Sequence, residues 1–263
     1  MKKGLIYFLL FFPFFIRAQT TDIYFDKAVE LFNNKDYDKA IDYFTKEVEL
    51  NPKNAEAYNY RAIIKQKQNN YAGALDDYSK EIAINPSAAI AGYTNRAYIK
   101  GILNDYKGAV ADCDIAIAIN PKYDVAYLNR GNSKNNLDDY NGAITDLNKA
   151  IELNPKFDMA YNDRGNSKNG LGDYKGAIVD FSKAIELNPQ LAMAYSNRAL
   201  AKEKTNDYNG AISDLNKAVE LDPALKEAFF VRGITKSDLK DFKGALEDFD
   251  KALVIDSKFP PIY

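Results

Sequence analysis

The sequence has no histidine. That removes the usual general base near neutral pH and the commonest metal ligand. It has one cysteine, Cys113, so no disulfide within the chain and no cysteine-rich zinc site can form. An excess of one charge is missing too: 35 Lys plus Arg stand against 37 Asp plus Glu, a formal net charge of -2. Such a balance gives no electrostatic footprint for nucleic acid. No run of Lys or Arg offers a patch for anionic lipid. No phosphate loop, nucleophile–base pair or metal cluster can be read, so the expectation is a protein that is not an enzyme and holds no cofactor and no metal. What is present, 46% hydrophobic and 27% charged residues in 263, describes a globular chain with a sizeable core.

The N-terminus reads as a leader. Met1-Lys2-Lys3 is a short basic start, Leu5 to Ile16 is an apolar run of twelve residues, and Arg17-Ala18-Gln19 follows. This is the layout of a secretory signal peptide over 1–18, with cleavage predicted after Ala18. Twelve residues make a helix of only about 18 Å, short for a membrane core of ~30 Å. An uncleaved anchor is the alternative reading. Cleavage removes Lys2, Lys3 and Arg17, leaving 32 basic and 37 acidic residues and a charge of -5. The expected location is the periplasm or the exterior of a bacterium-like cell, with no membrane insertion once the signal is removed.

Beyond a two-residue linker (19–20), a period of 34 organises the chain. Pro52, Pro86, Pro121, Pro155, Pro189 and Pro223 are spaced by 34, 35, 34, 34 and 34 residues. A second comb is Tyr58, Tyr93, Tyr127, Tyr161, Tyr195 and Phe229, and a third runs from Ala40 through Ala74, Ala109, Ala143, Ala177 and Ala211 to Ala245. Such self-similarity marks a repeat architecture. An aromatic at repeat position 4, a small residue at 8, Ala at 20, a large apolar residue at 24 and Pro at 32 resemble the tetratricopeptide repeat (TPR) family. Seven repeats fit: 21–54, 55–88, 90–123, 124–157, 158–191, 192–225 and 226–259, with Ala89 inserted and 260–263 left as a tail. The resemblance implies an all-α fold, a right-handed α-solenoid or superhelix of stacked antiparallel helix pairs with a concave groove, working as a protein-binding scaffold.

In repeat 5 a first helix from Met159 to Leu171 ends at Gly172, which can turn left-handed. Asp173 caps a second helix that stops before Asn188-Pro189. Asn69, Asn104 and Asn206 can replace Gly172. Lys35, Asp138 and Lys240 suit that conformation less well and point to strained or differently built turns. Position 19 is Gly in repeats 2 to 7 (Gly73 to Gly244), for which close helix approach is the expected return. Cys113, at position 24, reads as a small core residue.

Charges recur on a packing face. Position 7 holds Arg61, Arg96, Arg130, Arg164, Arg198 and Arg232, where the family usually has Leu. Position 11 holds Lys65, Lys100, Lys134, Lys168, Lys202 and Lys236, and position 23 holds Asp77, Asp112, Asp146, Asp180, Asp214 and Asp248. Buried cations need partners, and repeat 1 changes all three positions together, to Lys27, Leu31 and Tyr43. These residues are expected to form a structural ladder fixing helix register.

On the opposite face of the first helix, Asn dominates. Position 6 has Asn95, Asn129, Asn197 and Asp163, position 5 has Asn59 and Asn162, position 9 Asn132 and Asn166, position 12 Asn135 and Asn169, and position 13 Asn136. Asn offers donors and an acceptor that match an extended peptide backbone. The position-6 row is similar to the asparagine ladder of the TPR superhelix in the transferase that attaches N-acetylglucosamine to Ser and Thr. The expected peptide-binding set is Asn95, Asn129, Asn132, Asn136, Asn162, Asp163, Asn166, Asn169 and Asn197. The family's clamp for a C-terminal carboxylate wants basic residues at positions 2 and 6, and with Glu56, Val125 and Met159 at position 2 that clamp is not expected. Two other readings stay open: a glycan-binding module using Asn with Tyr60 and Tyr98, and a structural part of an envelope assembly docking by its C-terminal end. A homo-oligomer through that end is the related expectation, since Phe249 and Leu253 lie on the last predicted helix.

Overall fold

The computed structural model describes residues 12–256, and side chains from 23 to 256. The start of the predicted leader (1–11) and the C-terminal tail lie outside the described residues. Among the described residues there are fourteen α-helices and no strand. They come as seven pairs: α1 (Phe12–Asn33) with α2 (Tyr37–Leu50), α3 (Ala55–Lys67) with α4 (Tyr71–Ile84), α5 (Ile90–Ile102) with α6 (Tyr106–Ile119), α7 (Asp124–Asn135) with α8 (Tyr140–Leu153), α9 (Asp158–Gly170) with α10 (Tyr174–Leu187), α11 (Ala192–Lys204) with α12 (Tyr208–Leu221), and α13 (Lys226–Asp238) with α14 (Phe242–Ile255). Helix α1 starts inside the predicted leader and is continuous through Ala18. No helix among the described residues is long and apolar enough to cross a membrane.

The chain divides into two compact units, one ending at Pro121 and holding α1–α6, the other starting at Lys122 and holding α7–α14. Within each unit the first helix of a repeat packs on its own second helix, and that second helix packs on the first helix of the next repeat. A lone helix pair cannot cover its apolar face, so stacking supplies the core. The position-20 alanines, Ala40 to Ala245, are buried at the contact, beside Phe44, Tyr78, Cys113, Leu147, Phe181 and Leu215 from position 24.

The turns within pairs are all of one kind. Lys35, Asn69, Asn104, Asp138, Gly172, Asn206 and Lys240 have φ between 59° and 78°. The next residue sends its N–H back to the carbonyl five residues earlier, as in Asp105 to Lys100 (2.8 Å) and Asp241 to Lys236 (2.9 Å). This is the Schellman closure. Lys35, Asp138 and Lys240 therefore do not build a different turn, as their side chains suggested. They hold the left-handed conformation because the closing hydrogen bonds and the following cap impose it, at the cost of Cβ crowding.

The cap also explains position 19. Asp105, Asp139, Asp173, Asp207 and Asp241 each accept from the N–H of the Gly three residues on, at 3.0 Å. A Cβ at Gly108, Gly142, Gly176, Gly210 or Gly244 would overlap that carboxylate. In repeat 1, where Lys39 replaces Gly, the bond from its N–H to Asp36 stretches to 3.4 Å. Room for the capping carboxylate, not close approach of two helices, is what glycine provides here.

The charged ladder forms in six repeats. In each, Arg Nε and Nη2 donate to the two oxygens of the Asp sixteen residues on, at 2.8 and 2.7 Å for Arg61–Asp77 and 2.8 and 2.6 Å for Arg164–Asp180. The position-11 lysine closes on the same carboxylate at 2.7–2.8 Å. The Asp side chains are at most 6% exposed. Each guanidinium lies over its own position-4 ring, 5.3–5.7 Å from the centroid. Its Nη1 reaches the preceding second helix: Arg61 to Thr45, Arg96 to Ser79, Arg164 to Asn148, Arg198 to Ser182 and Arg232 to Asn216. Repeat 1 replaces the ladder with aromatics, Tyr24 against Tyr43 with Lys46 over both rings, while Lys27 pairs with Glu30 at the surface.

Replacing Asp146 by Ala strands Arg130 and Lys134 on a largely buried face. The expected loss is about 3 kcal/mol of unfolding free energy, read from the urea midpoint. An unchanged midpoint would contradict a structural role for the ladder.

Candidate functional site

The candidate face is made by the first helices on the side away from their second helices. In the unit of residues 122–263 it carries most of the Asn expected to meet a peptide, and the structure divides them into two groups. One group is spent internally. Asn162 is fully buried. Its Oδ1 accepts from Asn197 Nδ2 on α11, and its Nδ2 donates to Asp163 Oδ1, both at 3.1 Å. Asn132 Nδ2 on α7 donates to Asp163 Oδ2 at 3.1 Å. Asn135 Nδ2 donates to the Asp163 carbonyl at 3.1 Å, and Ser167 Oγ donates to Asn135 Oδ1 at 2.7 Å. The chain Asn132–Asp163–Asn162–Asn197 thus ties three first helices together. Asn162 and Asp163 are corrected from ligand contacts to packing groups, because α7, α9 and α11 lie close enough for their polar rows to close on one another.

The second group, together with Asn132 and Asn197 of the first, reaches solvent. Asn132 and Asn136 are exposed, with Asn136 Nδ2 donating to the Asn132 carbonyl at 2.9 Å. Asn129, Asn166, Asn169 and Asn197 are half-buried. In the other unit Asn95 is half-buried. Tyr60 stacks on Phe44 at 5.3 Å and meets Phe32 edge-on at 5.0 Å, so its ring packs among aromatics of the first repeat. Tyr98 remains exposed.

Sequence reasoning missed the buried acids of the first two repeats. Position 27 is Glu47 and Glu81 there, but Ala116, Ala150, Ala184, Ala218 and Ala252 later. That contrast was the available signal. Asn59, read as groove-lining, instead donates to Glu81 Oε2 at 2.8 Å.

Two features of the Asn network have measurable consequences. Burial pushes the Asp163 carboxyl up to about 6, against the opposing effect of the Asn132 and Asn162 hydrogen bonds. The folded state therefore holds this proton more tightly than the unfolded chain, and the stability it contributes is present at low pH and lost as pH rises through about 6. Compared with Asp163→Asn, the native chain should lose relative stability between pH 4 and pH 7 in paired denaturation curves. Parallel curves would contradict the assignment. Second, position 12 accepts from position 10 of the next repeat: Asn135 from Ser167, and Glu203 from Thr235 at 3.2 Å. Asn169 faces Ala201 in this scheme, and its buried Oδ1 has no partner. Ala201→Ser should supply the hydroxyl and raise stability by about 1 kcal/mol in a denaturant titration.

Comparison with known proteins agrees with the paired-helix fold. Tetratricopeptide-repeat family models match residues 25–89, 125–157, 165–206 and 192–225. No curated protein sequence matches the chain. Among solved structures, a tetratricopeptide repeat protein from Parabacteroides merdae is 21% identical and superposes with a TM-score of 0.76, covering 90% of this chain and 94% of that one. PilW, described as a widely conserved type IV pilus biogenesis factor, is 22% identical with a TM-score of 0.70, covering 80% and 97%. YrrB, described as a TPR protein with an unusual peptide-binding site, is 25% identical with a TM-score of 0.51, covering 69% and 93%. Residues 25–89, 125–157 and 165–225 of the chain carry tetratricopeptide repeats.

Proposed function

We propose that the chain is an exported, non-catalytic scaffold that holds an extended segment of another protein along the exposed face of its first helices. Tetratricopeptide-repeat proteins bind proteins or peptides, and YrrB is one with a peptide-binding site. The observation that carries the reading here is the layering of the Asn rows. Asn132, Asn136 and Asn166 stand at or near the surface, on helices locked beneath them by the Asp163 and Asn162 hydrogen bonds. Donors and acceptors held on a fixed base lose little freedom when a backbone docks. Export rests on the basic start and the twelve-residue apolar run near the N-terminus.

A second reading has its own observation. Phe242, Leu246 and Leu253 share one stripe of α14 and are 66%, 62% and 44% exposed, with Phe249 half-buried between them. Exposed apolar stripes of this kind mark contact surfaces. Docking by this helix, to a second copy or to an envelope component, is the alternative to the first-helix face.

A photo-crosslinking residue separates these readings. It is placed at 136 on the first-helix face, at 246 on α14 and at 179, an exposed site on α10, as a control. Capture of a partner from 136 alone is the expected result. Capture from 246 alone transfers the function to α14, and equal capture from 179 overturns both.

A further inference from the structure

Glu47 and Glu81 occupy the same repeat position and are both buried, at 1% and 8% exposure. Their surroundings differ. Glu47 Oε1 accepts from Asn54 Nδ2 at 2.8 Å and Asn51 Nδ2 at 3.4 Å. One repeat later Ala88 stands where Asn54 stood, and the inserted Ala89 follows it. Asn85, the counterpart of Asn51, accepts from the Ser87 hydroxyl at 3.3 Å. Glu81 keeps a single donor, Asn59, on Oε2, and Oε1 has no hydrogen bond among the described residues. A solvent-open cavity of about 280 Å³ lies beside Glu81, lined by Ala55, Ala88, Ala89 and Ala91 and by Glu56 and Asn85. The facing helix is adapted to the carboxylate: position 3, Ala in the repeats on either side, is Gly92, where a Cβ would come within 2.7 Å of Glu81 Oε2.

We propose that this cavity is a binding site for one alkylammonium group, the side chain of a lysine in the segment the scaffold holds. The proposal rests on the scaffold reading for the source of that lysine. The alanine walls suit a methylene stem, and Glu81 Oε1, Glu56 and the Asn85 side-chain oxygen are acceptors for the three ammonium hydrogens. No Lys or Arg lines the cavity. Lysine is favoured over arginine because Asn59 occupies Oε2. A guanidinium fork needs both carboxylate oxygens, whereas a point charge needs one. Burial alone pushes the Glu81 carboxyl above its ordinary range, and an ammonium ion at Oε1 would relieve that cost.

The test titrates the full chain with Nα-acetyl-lysine amide, its norleucine analogue and its arginine analogue, following backbone amide signals of residues 88–92 by NMR. Saturable shifts with the lysine amide are expected, with affinity at least about tenfold weaker for the other two, a difference of roughly 1.4 kcal/mol. Glu81→Ala installs the residue of repeats 3 to 7, and Ala88→Asn restores the donor of repeat 1. Both should abolish the shifts while leaving the circular-dichroism melt cooperative. Equal binding of norleucine, equal binding of arginine, an unchanged titration in Glu81→Ala, or no saturable shift with the lysine amide would each overturn the proposal. The probe is a free lysine derivative, so its failure leaves capture from position 136 standing, and loss of that capture leaves the titration standing.

Discussion

One buried carboxylate in each of repeats 2 to 7 holds the architecture together. The position-23 aspartate receives a two-pronged arginine and a lysine from the first helix of its own repeat. The arginine lies on the position-4 ring and, in most repeats, grips the second helix before it. In four repeats the lysine also donates to the carbonyl of the position-19 glycine, as Lys100 does to Gly108 at 3.3 Å. That glycine receives the cap of the second helix. Helix pairing, stacking and the turn between helices therefore meet at one acidic group. Buried ion clusters of this kind are weak sources of net stability, but they penalise any register in which a charge is left alone.

The repeat-wide features were legible in the sequence because each is written six or seven times. The 34-residue period, the Arg–Lys–Asp set and the Asp caps follow from residues in register, and the helix pairs form where the period places them. The turns were legible only in part. Asn69 and Gly172 announce a left-handed residue, while Lys35 and Lys240 conceal one, since the closing hydrogen bonds override the side chain's preference.

The candidate site was less legible, for a different reason. Helical periodicity tells which side of its own helix Asn162 occupies, but not how near the neighbouring first helices approach. Its partner Asn197 is 35 residues away and the link from Asn132 to Asp163 spans 31, so the burial of both residues is decided between repeats. The pocket beside Glu81 depends on features that occur once, Ala88, Ala89 and Gly92, and a reading organised by recurrence discounts such positions. Here chemistry gathers where the repeat departs from itself, while what recurs is scaffold.

The Asn network also limits how this array can change its length. The ladder recurs in repeats 2 to 7, so a repeat bearing only the ladder can be lost or duplicated with its charges still paired. Repeats 4, 5 and 6 differ, because Asp163 draws its donors from its own helix and from α7, and Asn162 draws on α11. Removing any one of the three would leave an amide or a carboxylate buried without its counterpart. These three repeats form one block inside a modular chain, to be kept or discarded whole, and the bond from Thr235 to Glu203 carries the same constraint across the joint with repeat 7.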